Sequence, residues 1–279
     1  MTLLDLWKSI MFKSFRKKLI AIGCSYTAHY LSSIQSPDVD WDFTRWPQHL
    51  ADMLDMDCVN LGKAGSGNDQ ILAKTVDVVL NEKNIGLVVL MWSEWQRIGF
   101  QRYKDRNIWH QVTPHEPHKD YSLSLFELQT PRHATRNALR TFIHAEKILK
   151  DIPYMFIQGT YGINYYKFVY RSFDDRYSKD GDENMIFSRS NNSQILTAEE
   201  MFACHDYFDY IENNIGNKFI GWPIMGELGG YCISEILDKE DPTRLKYRIS
   251  ENDTHPNAAG HKFIAELLYE KYKEIYSEN

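Results

Sequence analysis

The 279-residue sequence has no uninterrupted apolar run long enough to cross a membrane, since a spanning helix needs about 20 consecutive apolar residues. Its four cysteines are scattered without C-x-x-C spacing, which predicts neither a zinc site nor a disulfide framework and favours a reducing compartment. Basic residues are not in excess either, because 32 Lys and Arg stand against 38 Asp and Glu. Binding to nucleic acid requires a basic surface that neutralises phosphates, so this balance argues against a nucleic-acid partner.

Residues 1–18 are predicted to form a basic amphipathic segment, because bulky apolar side chains are interspersed there with lysines and arginines. The basic residues follow the apolar ones, which is the wrong order for a secretory signal. We therefore expect no signal peptide, and a protein that is cytoplasmic or part of a larger particle. The segment either contacts a membrane surface or a partner protein, or packs on its own domain or on a neighbouring subunit of an oligomer.

Short apolar runs at residues 19–22, 57–61, 85–92 and 153–158 predict parallel strands. The first three end in small or polar residues, and each is followed along the chain by a helical pattern. The predicted helices cover residues 41–56, 69–81, 135–150, 198–215 and 262–276. Such alternation is typical of a doubly wound α/β sheet, whose ligands bind at the carboxyl ends of the strands.

Two stretches interrupt the alternation, and we predict that residues 100–131 and 161–197 are long insertions over the rim of the sheet. The first is rich in His, Tyr and Trp, and the second is rich in Tyr and then charged. Aromatic residues make up 14% of the chain. They either form a surface that stacks on rings such as sugars or simply fill the core.

A reactive serine is predicted at the end of the first strand, where Gly23 interrupts the apolar run and Ser25 follows. A hydroxyl there lies at the edge where an open α/β sheet places its site. The second strand leads into a loop with Gly62, Gly65 and Gly67, and glycines leave backbone N–H groups unshielded. No Lys-Ser/Thr pair follows, which excludes a Walker-type phosphate loop. The loop is either a plain strand-to-helix turn or a site for developing negative charge.

Near the end of the sequence, Asp253 and His255 flank Thr254, and Pro256 follows before the last predicted helix. Proline and asparagine after His255 predict a turn that holds the imidazole outside the helix. The Asp253 carboxylate is then close enough to orient the ring and to stabilise the imidazolium. Otherwise His255 merely caps the helix. With Ser25 these residues form a candidate nucleophile, base and acid, which need no metal and no organic cofactor.

In these blocks the sequence resembles the SGNH (GDSL-like) hydrolase superfamily from end to end. Gly23-Cys24-Ser25 is similar to the G-D-S block, with Cys24 in place of the aspartate. Residues 60–65 (Asn-Leu-Gly-Lys-Ala-Gly) are similar to the second block, and residues 253–256 (Asp-Thr-His-Pro) to the block that supplies acid and base. The resemblance implies a single domain over residues 19–279, a flavodoxin-like three-layer sandwich with a parallel sheet between helices. It also implies that Ser25, His255 and Asp253 are catalytic.

The resemblance further implies an oxyanion hole that includes the backbone N–H groups of Ser25 and Gly65. The family's third block supplies an asparagine, for which this sequence has Ser93. Asn68, in the glycine loop, is the other candidate for this donor. The acid and the base are also spaced D-x-H rather than D-x-x-H, as in some acetyl-transferring branches.

The function implied is that of a serine esterase acting on a small-molecule or glycan ester, such as a carbohydrate O-acetyl group. One alternative is an O-acyltransferase, because some branches of the family transfer acetyl groups. The other is a non-catalytic structural or binding protein that retains the fold, for example a component of a phage particle. The changed third block favours this last alternative, since loss of an oxyanion donor typically costs 10²–10³ in turnover.

Overall fold

In the computed structural model of the protein, the described residues are 16–29, 38–101, 109–112, 131–162, 166–170, 185–189, 199–250 and 253–276. Most of the predicted N-terminal segment and much of both predicted insertions therefore lie outside the described residues. Every candidate site residue lies within them. Lys18, the last residue of the predicted N-terminal segment, already belongs to the first strand.

The described strands are β1 (Lys18–Gly23), β2 (Asp57–Asn60), β3 (Ile85–Trp92), β4 (Ile98–Gln101), β5 (Trp109–Val112), β6 (Tyr154–Gln158), β7 (Tyr166–Tyr170), β8 (Met185–Arg189) and β9 (Phe219–Ile220). The described α-helices are α1 (Trp46–Met53), α2 (Asn68–Asn81), α3 (Pro131–Leu149), α4 (His205–Asn214), α5 (Ile233–Glu240) and α6 (Ala258–Tyr276). The four predicted strands are confirmed as β1, β2, β3 and β6, with small shifts at their ends.

Five parallel strands form the central sheet in the order β2-β1-β3-β6-β9. Their alternate side chains face two separate hydrophobic cores. Ile20 and Ile22 of β1 enter one core, while Leu19 and Ala21 enter the other. Strands that are apolar on both faces must be covered on both faces, which is why the predicted runs are apolar without alternation.

Helices cover both faces of this sheet. Residues of α2, α3 and α4 pack in the first core, and residues of α1, α5 and α6 pack in the second. The fold is therefore an α/β three-layer sandwich with the flavodoxin-like strand order, and the predicted fold class is confirmed. No helix in the described ranges combines the length and the apolar character needed to span a membrane.

Several helices begin elsewhere than the periodicity predicts. Helix α1 begins at Trp46 rather than at residue 41, with Pro47 in its first turn, where the missing N–H of proline costs nothing. Helix α6 begins at residue 258 rather than 262, because the Asn257 side chain accepts a hydrogen bond from the Gly260 N–H (3.0 Å) and caps the first turn. The predicted helix over 198–215 is interrupted at residues 203–204, and α4 starts at His205.

An antiparallel strand pair is associated with each predicted insertion. Strand β4 pairs with β5 near the first insertion, and β7 pairs with β8 within the second. The Asp69 side chain, in the first turn of α2, accepts a hydrogen bond of 2.7 Å from the Gly99 N–H of β4. This bond attaches the β4–β5 pair to the helix that follows the glycine loop.

The core predicts a clear stability difference between two helical leucines. Leu139 of α3 is fully buried, whereas Leu80 of α2 is 75% exposed. We expect Leu139→Ala to lower the free energy of unfolding by about 2–5 kcal/mol through lost burial and a residual cavity. Leu80→Ala, the matched control, should change it by no more than about 0.5 kcal/mol. Urea unfolding of both variants measures the difference, and equal losses would contradict the described packing of α3.

Candidate active site

The candidate site lies where the strand order reverses. Strand β1 is flanked by β2 and β3, and ligands of open α/β sheets bind outside the carboxyl ends of strands at such a point. Gly23 of β1 pairs in parallel with Met91 of β3. Ser25 and Ser93 each lie two residues beyond this pair, so the loops that carry them leave the sheet side by side.

The glycine loop after β2 is attached directly to the turn that carries Ser25. The Lys63 N–H donates to the Gly23 carbonyl (3.0 Å), and the Asn60 side chain donates to the Thr27 carbonyl (2.7 Å). A Cβ atom at Gly62 would lie 2.6 Å from the backbone nitrogen of Ala28. Only glycine allows the two backbones to approach this closely, so Gly62 sets the distance between the two loops.

A continuous hydrogen-bonded chain joins the three predicted residues of the triad. The Oγ of Ser25 lies 2.9 Å from Nε2 of His255, and Nδ1 of the same ring lies 2.6 Å from Oδ1 of Asp253. Because an ionised carboxylate can only accept, Nδ1 carries the proton and Nε2 presents its lone pair to the Ser25 hydroxyl. This is the tautomer in which the imidazole can take the serine proton.

The acid of this hydrogen-bonded chain is buried, whereas the base and the serine are partly exposed. The side chain of Asp253 is 2% exposed and that of His255 is 25% exposed. Ser25 is partly exposed, whereas the neighbouring Cys24 is fully buried in the second core. Ser25 is therefore partly open to solvent, whereas the thiol beside it is shielded and is not a competing nucleophile.

A second histidine, His261, lies nearby in α6 but is not a competing base. Its Nδ1 accepts a hydrogen bond from the Trp46 backbone N–H (3.3 Å), and its side chain is buried. Burial, with a smaller contribution from the positive charge of Arg45, lowers the pKa of His261 well below its ordinary value. The ring therefore stays neutral and acts as an acceptor that fixes the start of α1.

Two backbone donors in the loops after β1 and β2 have no hydrogen-bond acceptor in the described part of the chain. They are the N–H groups of Ser25 and Gly65, the two predicted for the oxyanion hole. Gly65 has a φ of 76°, a left-handed conformation that glycine adopts without a steric cost. A free backbone N–H is what an oxyanion needs, since a donor already bonded within the protein has no hydrogen to offer.

The structure brings together the two side chains that were candidates for the third donor. Oδ1 of Asn68 accepts a hydrogen bond from the Ser93 N–H (2.8 Å), and Nδ2 of Asn68 donates to the Ser93 carbonyl (3.3 Å). The carboxamide thus pairs with Ser93 as a neighbouring strand residue would. This cyclic pairing uses the amide hydrogen on the same side as Oδ1 and leaves the second hydrogen pointing away from Ser93.

The Ser93 hydroxyl, in contrast, is completely buried, and its Oγ has no hydrogen-bond partner within the described residues. The Ser93 carbonyl also accepts a bond of 2.9 Å from Nε2 of Gln158, at the carboxyl end of β6. Gln158 donates again to the Thr160 carbonyl (2.8 Å) and accepts from the Trp95 indole (3.3 Å). Sequence reasoning missed this bracing of Ser93, because nothing in the pattern of β6 distinguishes Gln158 from an ordinary strand end.

A buried ion pair lies just beyond Ser93. Nε of Arg97 donates to Oε2 of Glu94 (3.1 Å), and the two side chains are 10% and 4% exposed. Burial works to lower the pKa of Arg97, but the Glu94 carboxylate offsets this and the pKa of Arg97 is raised. The guanidinium thus stays charged and holds the loop after β3 in a fixed shape.

Two aromatic rings enclose the imidazole. Tyr26 meets His255 edge-on with ring centroids 5.6 Å apart, and Trp41 does so at 6.5 Å. Both aromatic residues are almost completely buried. Tyr26 follows the predicted nucleophile directly, so its place in the sequence was a signal that could have identified it. The described residues contain no cluster of three or more His, Cys, Asp or Glu side chains that could hold a metal ion.

No protein-family model and no curated protein sequence matches this chain. Solved structures that it is similar to include a member of the lipolytic G-D-S-L family from Veillonella parvula, at 12% identity over 94% of this chain and 100% of that one, with a TM-score of 0.40. A psychrotrophic esterase from Pseudoalteromonas sp. matches at 11% identity over 94% and 100% of the two chains, with a TM-score of 0.44. A carbohydrate acetylesterase family member from Sinorhizobium meliloti matches at 10% identity over 94% and 99%, also with a TM-score of 0.44.

The first of these structures bears the family name that the sequence motifs indicate.

Proposed function

We propose that this protein is a serine esterase of the SGNH type, in which Ser25 is the nucleophile, His255 the general base and Asp253 the residue that orients the base. The observation that carries the proposal is the unbroken chain from the Asp253 carboxylate through the imidazole to the Ser25 hydroxyl, with bonds of 2.6 and 2.9 Å. The partial exposure of Ser25 supports it as well, because a relic hydroxyl in a scaffold has no need to remain accessible.

In the acylation step, the Ser25 oxygen attacks the ester carbonyl while Nε2 of His255 takes the hydroxyl proton. Asp253 stabilises the imidazolium that forms. When the tetrahedral intermediate collapses, the bond to the alcohol oxygen breaks, His255 returns the proton to that oxygen, and the acyl group stays on Ser25. Water then attacks the acyl-serine with His255 as base again, which releases the acid and restores the serine.

The negative charge of the tetrahedral intermediate would be met by the free N–H groups of Ser25 and Gly65 and by one side chain. We propose that Asn68, rather than Ser93, supplies that side-chain donor. The second amide hydrogen of Asn68 has no partner in the described part of the chain, and the carboxamide is already held in place by Ser93. Donors fixed before the reaction need no reorganisation as charge develops, which is the main source of such stabilisation.

The substrate stays a prediction at the level of class, namely an ester of a small molecule or of a glycan such as an O-acetyl group. The aromatic-rich insertions that suggested a glycan lie mostly outside the described residues. Transfer of the acyl group to another alcohol instead of water would use the same nucleophile and base. Hydrolysis and transfer are therefore distinguished by adding acceptor alcohols to the assay rather than by variants of the triad.

Removal of either proton-transfer partner should abolish hydrolysis. We expect Ser25→Ala and His255→Ala to lower kcat for p-nitrophenyl acetate by about 10⁴-fold or more. Asp253→Asn should cost less, because it disturbs the tautomer and the ring orientation but leaves the base in place. A fluorophosphonate probe followed by peptide mapping should label Ser25 in the wild type and not in Ser25→Ala.

His144→Ala is the matched control for His255→Ala, since His144 is an exposed histidine on α3, in the other helical layer. It should retain wild-type activity. Equal activity in the wild type and in all three triad variants would assign the hydrolysis to another site or to a contaminant. A wild type that neither hydrolyses esters nor reacts with the probe at Ser25 would favour the non-catalytic scaffold.

If Asn68 is the third oxyanion donor, substitutions at Asn68 and at Ser93 should differ in their effect on kcat. Asn68→Ala should lower kcat by about 10²–10³-fold with little change in KM, because the bond forms mainly in the transition state. Asn68→Asp should lower kcat at least as much, because it removes both amide hydrogens and adds a negative charge while keeping an acceptor for the Ser93 N–H. Ser93→Ala should change kcat by less than about 3-fold. The opposite ranking would make Ser93 the donor, since a serious loss in Ser93→Ala alone requires its hydroxyl to reach the oxyanion.

A further inference from the structure

The loop that carries Asp253 and His255 connects two helices and has little regular structure of its own. Its described backbone contacts include the bonds from the Ile249 N–H to the His255 carbonyl (2.9 Å), from the Ser250 N–H to the Asp253 carbonyl (3.3 Å) and from the Asn257 N–H to the Tyr247 carbonyl (3.1 Å), and a bridge between Arg248 and Pro256. All of these contacts join one part of the loop to another part of the same loop. The approach of His255 to Ser25 therefore needs a further constraint that joins this loop to the turn after β1.

Arg248 supplies contacts to both of these segments. Its side chain is 1% exposed. Nη1 donates to the Tyr26 hydroxyl (2.9 Å) and also to the Thr254 carbonyl. Tyr26 is next to the nucleophile, and Thr254 lies between the acid and the base. One guanidinium nitrogen thus connects the residue next to the nucleophile with the residue between the acid and the base.

The remaining donors of the guanidinium fix its own position. Nη2 donates to the Ser234 carbonyl (2.7 Å) and to Oδ1 of Asp238 (2.8 Å), and Nε donates to the same carboxylate oxygen (3.0 Å). All five N–H hydrogens of Arg248 therefore have an acceptor, counting one to Tyr26 and one to Thr254. Ser234 and Asp238 belong to α5, which makes this helix the rigid support from which the loop is positioned.

Tyr26 completes the arrangement from the side of the nucleophile. Its hydroxyl donates to the Thr254 carbonyl (2.8 Å), so it accepts from both Arg248 and the Ser234 hydroxyl, which lies 2.9 Å away. Burial raises the pKa of Tyr26, so the hydroxyl keeps the proton that it donates. The Thr254 carbonyl therefore accepts two hydrogen bonds, one from Tyr26 in the turn after β1 and one from Arg248 in its own loop.

We propose that Arg248 is a positioning residue that, together with Tyr26, holds the Thr254 peptide at the distance from which His255 reaches Ser25. It touches neither substrate nor the reacting atoms. The inference rests on the proposed esterase function, because it assigns Arg248 a role in that reaction. A guanidinium is suited to the role because its planar fork donates in several fixed directions at once, which a lysine ammonium cannot reproduce.

The competing explanation is that Arg248 only stabilises the fold through its ion pair with Asp238. Arg244 provides the matched control, since Nη2 of Arg244 donates to the other oxygen of the same carboxylate (2.7 Å). Among the described contacts of Arg244 there is none to Tyr26 or to Thr254. Lysine substitutions at the two positions thus disturb the same carboxylate, but only one of them releases the Thr254 peptide.

The test compares Arg248→Lys with Arg244→Lys on p-nitrophenyl acetate, with the reactive serine titrated by a fluorophosphonate so that kcat is expressed per competent site. We expect Arg248→Lys to lower kcat about 10²-fold, the loss typical of a misplacement near 1 Å, with KM changed less than about 3-fold. Arg244→Lys should retain kcat within about 3-fold. A purely structural role would lower the melting temperature and the titrated fraction while leaving kcat per site unchanged, and that result would overturn the proposal.

Tyr26→Phe keeps the proposal testable if Arg248→Lys does not fold, because it removes one of the two donors to Thr254 and preserves the ring. We expect a loss in kcat of about 10-fold. The double variant should lose less than the product of the two single losses, since both residues act on one carbonyl. An unchanged kcat in Tyr26→Phe would overturn the proposal. A wild type without Ser25-dependent hydrolysis would instead overturn the proposed function itself, so the two failures are distinguishable.

Discussion

Because Ala21 pairs with Asn60 and Gly23 with Met91 in parallel register, three chain segments leave the sheet at the same edge. The groups of the candidate site that directly follow β1, β2 and β3 depend on this pairing. Ser25, the free N–H of Gly65 and the Asn68–Ser93 pair come from the loops after β1, β2 and β3 and from the first residue of α2. The close approach at Gly62 then fixes the glycine loop against the turn of the nucleophile.

The acid and the base come from the opposite end of the sequence, on a loop between two helices. They reach the nucleophile because the second core holds α5 and α6 on the same face of the sheet as α1. The proposed role of Arg248 is a consequence of this separation. The strand register fixes the positions of the loops that follow the strands. The position of a loop between two helices must instead be fixed by side-chain contacts.

The site also contains polar groups that a core built only for stability would avoid. Among the described residues, Oγ of Ser93 and Oγ1 of Thr27 are buried without a hydrogen-bond partner. Each such group typically costs about 1–3 kcal/mol of desolvation. Departures of this kind are expected at functional sites, where local stability gives way to the requirements of the chemistry.

The sequence alone determined the α/β class, the four main strands and the identity of Ser25, Asp253 and His255 as one candidate constellation. These features depend on local patterns, namely strands that are apolar on both faces, glycines at strand ends and the short Asp-Thr-His motif. Only the tertiary structure decided that Asn68 pairs with Ser93, that Gln158 braces it and that Arg248 contacts Tyr26. Such contacts join residues up to 222 positions apart, and a hydrogen bond depends on the direction and distance of two side chains in space. No periodicity within either segment carries that information, because it arises only when the two segments are packed against each other.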